Sequence, residues 1–405
     1  MQDIRKTLGI KIESPYWDKA YEKALSQPSI PEWLTVDYIR EIHEKYGFFK
    51  QNIDVILSAV PHIVKVPELC ILAKTLYHIL DTRVKYKEAF TEFEVPKAPE
   101  GCENSIGYDC VCGFPILAHL VPSWKDLEAK GIEESIIAEN LTTLDFLFTY
   151  SYEETGKASF TKQFFEFYGN AIYKETFVLG RLRFEICKNL VRPARIFENG
   201  CGEQKVIMCD CVIHKSGNIL GAYGCEDADD SFEAVFTETD DEYIGYAVNE
   251  KTCLCENKLT HLNKSEWKPI YTPGDNALKV HIPYGDRLTK EAVEDSYNRA
   301  REFFTRCYPE IKFDGFHLFC WMLSPDLCDI LSPDSGVIQF RSKYTVFPAK
   351  DNAVDTIMYA FGIKEQDVPS VNIKNLPEDN TLRRGIKKKL LEGTVFHQCY
   401  GFFKW

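Results

Sequence analysis

No stretch of this 405-residue sequence approaches the ~20 consecutive apolar residues that a membrane helix requires. The N-terminal segment MQDIRKTLGIKIESPYW also lacks the apolar core of a signal peptide. A membrane partner is therefore not expected, and the cytoplasm is the expected compartment. Basic residues are in deficit, with 48 Lys and Arg against 61 Asp and Glu and a formal net charge of −13. That balance disfavours a nucleic-acid partner, since phosphate backbones are bound by a basic face that displaces counterions. The dense basic cluster of Arg383, Arg384, Lys387, Lys388 and Lys389 reads as a solvated helix face. Internal repeats and low-complexity segments are missing too.

Disulfide and metal signatures are equally scarce. The 15 cysteines are an odd number spread over a large chain, the pattern of reduced thiols. Cys110/Cys112, Cys209/Cys211 and Cys253/Cys255 are C-x-C pairs, not the C-x-x-C knuckles of structural zinc. Two of these pairs lie in strand-like runs, where i and i+2 simply share a face. No metal is expected. The acidic runs 226–230 and 238–242 lack the glycine and ligand alternation of a calcium loop and read as exposed turns.

What the sequence does carry is centred on residues 278–321. Leu278, Val280 and Ile282 alternate with Lys279 and His281, and Pro283 ends that strand by removing a ladder donor. Residues 284–288 form a loop with one glycine, Gly285. Thr289 is placed to cap a helix on which Val293, Tyr297, Ala300 and Phe304 share one face. Tyr308 and Pro309 end the helix, and 316–321 returns as a strand of large apolar residues, covered on both faces. A βαβ unit follows, with a loop at a helix N-terminus suited to an anion such as a pyrophosphate.

The length favours two domains. The expected fold is α+β or α/β, with a helical N-terminal domain over 1–135 and a mixed-sheet domain with flanking helices over 136–405. In the first, Thr35 caps a helix with Val36, Ile39, Ile42 and Tyr46 on one face and Gly47 beyond it. A second helix, 68–80, starts at Pro67, with Pro61 and Pro67 framing the connection, and another runs over 132–148. Strands are expected at 178–186, 205–214, 234–237, 337–347 and 395–403, and helices at 351–361 and 381–391.

These segments together resemble a bacterial acyltransferase family with a helical N-acyltransferase N-terminal domain and a GNAT-like C-terminal domain. The phrases that carry the resemblance are GRLRFE at 180–185, Gly274-Asp275 leading into His281-Ile282-Pro283, and AREFF at 300–304. WMLSP at 321–325, IQF at 338–340 and TLRR at 381–384 complete the ordered set. The resemblance implies a sheet whose two central strands, here 278–283 and 316–321, splay apart to admit the pantetheine arm of an acetyl- or acyl-CoA co-substrate. It implies direct transfer of the acyl group to the amine of a small-molecule or peptide acceptor. The cofactor-binding residues would be Ile282, Pro283, Gly285, Arg287, Leu288 and Thr289. One departure stands out. The GNAT loop signature is R/Q-x-x-G-x-G/A, and with Gly285 as its first glycine, Ile282 replaces Arg or Gln and Arg287 replaces the second small residue.

Attack of a neutral amine on a thioester requires a base, and a histidine with a pKa near ~6.5 suits that task at neutral pH. His281, at the end of a central strand, is the first candidate. Glu185 is the second; a carboxylate among apolar neighbours gains basicity, although a salt bridge to Arg181 or Arg183 would explain it structurally. No tyrosine follows the second strand to act as general acid, and Cys320 is the nearest thiol. A nucleophilic Cys320 would need His281 or His317 as its base, and His317 projects to the opposite face at an odd separation. The main alternative to an acyltransferase is a GNAT-like module that binds CoA or a metabolite without catalysis.

Overall fold

Thr35 and Gly47 delimit a helix as their chemistry requires. The Thr35 side chain accepts a hydrogen bond from the Tyr38 amide to open Val36–Tyr46, and Gly47, at φ 73°, closes it. Ile39, Ile42 and Tyr46 form its buried face. The structure, a computed structural model, describes residues 3–50, 52–84, 86–102, 105–157, 159–162, 164–166, 176–283 and 285–405. Pro67 occupies the first turn of Pro67–Leu80, where its missing N–H is harmless. Pro61, expected in the connection, lies instead inside the helix Ile53–Val64, near its end, where it forfeits a single hydrogen bond. The helical stretch Ile106–Ala129, 24 residues, is long and apolar enough to cross a membrane, contrary to the expectation from sequence. Most of it is buried, as in the core helix of a folded domain.

The chain divides into two compact units, Met1–Val178 and Leu179–Trp405. The division falls beyond the boundary expected at 135/136, because the helix Glu134–Thr155 runs uninterrupted through that point. In the first unit the only strands among the described residues before residue 176 are the short antiparallel pair β1 (Ile12–Glu13) and β2 (Glu92–Phe93).

Beyond residue 175 strands dominate. They are β3 (Thr176–Leu179), β4 (Leu182–Leu190), β5 (Ala194–Asn199), β6 (Gln204–Met208), β7 (Cys211–Ile213), β8 (Phe232–Ala234) and β9 (Thr237–Glu238). There follow β10 (Glu242–Val248), β11 (Cys255–Asn263), β12 (Trp267–Tyr271), β13 (Asp275–His281), β14 (Gly315–Cys320), β15 (Thr345–Pro348) and β16 (Cys399–Lys404). The mixed sheet has the order β15-β16-β14-β13-β4-β3. A second sheet, β11-β10-β6-β5-β12 with β9 on β10, arises from the chain between β4 and β13.

The second sheet is the main addition to the fold expected from sequence. Residues 205–214 do not form one strand: Asp210, at φ 54°, turns the chain so that β6 and β7 join different sheets. Residues 337–347 are not a strand either. Ser335 accepts from the Ile338 amide and opens the helix Gly336–Arg341, with β15 following it. A short apolar run carries no periodicity that separates the two outcomes, and the cap decides.

One face of the mixed sheet, with Ala277, Phe347 and Phe402, packs on Ala194, Ile196, Val206, Met208 and Tyr271 of the second sheet. The other face carries the helix Lys290–Cys307, capped by Thr289 and burying Val293, Ser296, Tyr297, Ala300, Phe303 and Phe304. Phe184, Tyr297 and Phe316 form an edge-to-face cluster there. This sets which side chains remain on the opposite face, and that face holds the site.

Candidate active site

β13 and β14 start as a parallel pair, and their pairing ends at Lys279 opposite His317. Each strand continues on its outer side only. β13 stays bonded to β4 as far as His281 opposite Arg183, and β14 to β16 as far as Cys320 opposite Cys399. The two central strands of the sheet therefore part after a short paired segment. Their facing edges, from Val280 on one side and Leu318 on the other, have no strand-to-strand bonding across the gap, a geometry that leaves main-chain groups for a ligand to bond.

His281 lies at the parting end of β13. Its Nε2 is 2.9 Å from Glu185 Oε2, with the histidine side chain 35% exposed and the carboxylate 16% exposed. The contact follows from register: Glu185 lies opposite Lys279, one diagonal step from His281, on the same sheet face. Burial lowers the His281 pKa below its usual value, the Glu185 hydrogen bond opposes that shift, and Lys279 and Arg183 reinforce it. The imidazole is thus held neutral at pH 7, with Glu185 fixing its orientation through Nε2 and leaving Nδ1 as the basic nitrogen.

Of the residues expected to hold a cofactor, Ile282 and Pro283 are half-buried, Gly285 and Arg287 exposed, Leu288 half-buried and Thr289 exposed at the helix cap. Tyr284 lies outside the described residues. Gly285 has φ 139°, a conformation L side chains rarely adopt, so its identity is required by the backbone. The loop is held by Arg181, which the sequence offers as an ion-pair partner for Glu185 and as part of the GRLRFE phrase. Arg181 donates from Nη1 to the Pro283 carbonyl at 2.8 Å and from Nε to the Asp286 carbonyl at 2.6 Å. Ser296 Oγ accepts from the Arg181 amide at 2.8 Å, tying the β3–β4 turn to the helix. Gly336 is another residue not anticipated: a Cβ there would lie 1.8 Å from the Leu288 carbonyl oxygen. Neither contact left a local signal, since both join segments far apart in the chain.

Cys320 is not brought to His281. His281 shares a face with Lys279, and therefore with His317, whereas Cys320 is three residues from His317 and faces the other way. Its sulfur accepts from the Met322 amide at 3.4 Å, and burial pushes its pKa up to about 12. A nucleophilic cysteine needs the opposite shift. Among the described residues, no three His, Cys, Asp or Glu side chains are placed to hold a metal ion together.

The family model for a GNAT-like C-terminal domain matches residues 176–403, more than half of the chain. The chain belongs to that family. Among solved structures, an acyltransferase in complex with decanoyl-CoA and teicoplanin aligns with a TM-score of 0.63 at 18% identity, over 99% of this chain and 98% of that one. An acyltransferase variant in complex with octanoyl-CoA aligns with the same TM-score at 17% identity and the same coverage. At such identities the likeness establishes the fold. No curated protein matches the sequence.

Proposed function

We propose that this chain is an acyl-CoA-dependent N-acyltransferase that transfers its acyl group directly to the amine of a small-molecule or peptide acceptor. The observation that carries the reading is the end of β13–β14 pairing at Lys279 and His317, with His281 on the parting edge. The gap would take the pantetheine arm. Residues 285–289 and the N-terminus of the 18-residue helix behind them would face the phosphates. The solved relatives bind acyl-CoA, and one binds teicoplanin as well, in line with a small-molecule acceptor.

In the reaction, the amine nitrogen attacks the thioester carbonyl carbon and forms the C–N bond. His281 Nδ1 takes the proton that the nitrogen sheds. Collapse of the tetrahedral adduct breaks the C–S bond, and the imidazolium returns its proton to the departing CoA thiolate. Glu185 acts through His281, orienting the ring and stabilising its charged form. A CoA donor and 15 free thiols suit a reducing, cytoplasmic setting, which is part of this reading.

Thermal denaturation with acetyl-, octanoyl- and decanoyl-CoA tests binding, and release of free thiol in the presence of amines tests transfer. No shift in melting temperature with any acyl-CoA at millimolar concentration would sink the reading. A second reading, a CoA-binding module without turnover, draws on Arg287 in place of a small loop residue and on the missing tyrosine after β14. Mass-spectrometric detection of an acylated amine excludes it.

Two substitutions probe the assignment of parts. Gly336→Ala pushes a methyl group into the Leu288 carbonyl and so displaces the loop; acyl-CoA affinity by calorimetry is expected to fall about tenfold or more, with the circular dichroism spectrum retained. Cys320→Ala is expected to keep turnover within a few-fold, because the thiol is protonated and faces away from His281. A loss of covalent turnover in that variant would restore the thiol as nucleophile.

A further inference from the structure

The face of the mixed sheet that carries His281 also carries two cations without a carboxylate of their own. The side chain of Lys279, directly opposite Glu185 on β4 and His317 on β14, makes no hydrogen bond or ion pair among the described residues. The Glu185 carboxylate is instead bonded to His281. Arg192 follows β4. Its Nε donates to His317 Nε2 at 3.1 Å, its Nη1 donates to the Val191 carbonyl at 2.8 Å, and its guanidinium lies 4.8 Å from the centre of the Tyr400 ring. Its Nη2 has no partner among the described residues. His317 is fixed between the two cations, its Nδ1–H donating to the Gly401 carbonyl at 3.1 Å.

Both side chains are half-buried. Half-buried charges left unpaired are costly, and an arginine with a free edge is shaped to take a carboxylate. The permanent charges that bear on His317 are Arg192 and Lys279, both of them cations. A local positive field of this kind on a chain of net charge −13 concentrates an anion where the rest of the surface repels it.

We propose that Lys279 and Arg192 bind a carboxylate of the acceptor, so that the amine acylated here belongs to an amino acid or a similarly short amine bearing an acid group. The inference rests on the acyl-transfer reading and adds the acceptor class to it. Lys279 and His281 are alternate residues on one strand face, about 7 Å apart along the chain. An acid held at one and an amine presented to the other are separated by only a few bonds.

The test compares initial rates of CoA release for a panel of L-amino acids and their primary amides, with acetyl-CoA and octanoyl-CoA as donors. The free acids are expected to be preferred by about tenfold or more in kcat/KM. Lys279→Met and Arg192→Met should bring that ratio close to one, and Lys279→Arg should keep it, with circular dichroism confirming that each variant folds. Amides as good as acids in the unaltered protein would overturn the proposal and leave acyl transfer standing. So would a preference for succinyl-CoA over butyryl-CoA that the same variants abolish, since the anion would then belong to the donor. Absence of both acyl-CoA binding and transfer to any amine would remove the parent reading, and this proposal with it.

Discussion

Replacing His281 with alanine is expected to lower acyl transfer by about 10²- to 10⁴-fold, the usual worth of a positioned base, while the thermal shift produced by acyl-CoA persists. The imidazole stands at the parting end of β13, bonded through Nε2 to Glu185 at 2.9 Å. Because burial lowers its pKa, the neutral form already dominates at pH 7, and kcat/KM should rise through an inflection below the ordinary ~6.5 and then level off. Glu185→Gln sharpens the test. The carboxylate hydrogen bond supports the charged imidazolium, so its loss moves the inflection to lower pH and weakens the base. Rates measured from pH 5 to 9 for the three proteins check both points. A His281→Ala enzyme within threefold of the unaltered rate would remove His281 from the mechanism.

What the sequence made legible follows the range of the interactions involved. Thr35 and Gly47, and Thr289 with Tyr308 and Pro309, specify their helices through contacts within a turn, and the helices begin and end there. His281 and Glu185 could each be singled out by residue type and strand position. Their meeting depends on the β4–β13 register, which joins residues 96 positions apart and has no local signature. The Arg181 contacts to the Pro283 and Asp286 carbonyls span 102 and 105 positions and were illegible for the same reason. The odd spacing of Cys320 from His317 did carry information, because strand alternation is local; it correctly put the two on opposite faces. Where local chemistry was ambiguous, as in the apolar run after Ser335, a single cap converted an expected strand into a helix.

His317 should make the protein markedly acid-sensitive. It is 1% exposed, and burial first, then the Arg192 charge, lower its pKa to about 3. The geometry explains the shift: Nδ1–H is committed to the Gly401 carbonyl, and Nε2 accepts from Arg192, so a second proton would face an N–H donor and a positive charge. In the unfolded chain the same residue takes its proton near ~6.5. Between those values the unfolded state binds more protons than the folded state, so stability rises with pH there and is lost as pH falls below ~6.5. At about 1.4 kcal/mol per pH unit, this residue alone accounts for roughly 2–3 kcal/mol between pH 6.5 and 4.5. Urea unfolding of the unaltered protein and of His317→Asn across that interval isolates the term, since all other groups are common to both. Asparagine can still donate to the Gly401 carbonyl from the position of Nδ1 but does not titrate, so the variant should lose less stability on acidification, whatever its stability at pH 7. Equal losses in the two proteins would mean that His317 accepts its proton in the folded state, and that the bond from Arg192 does not hold it neutral.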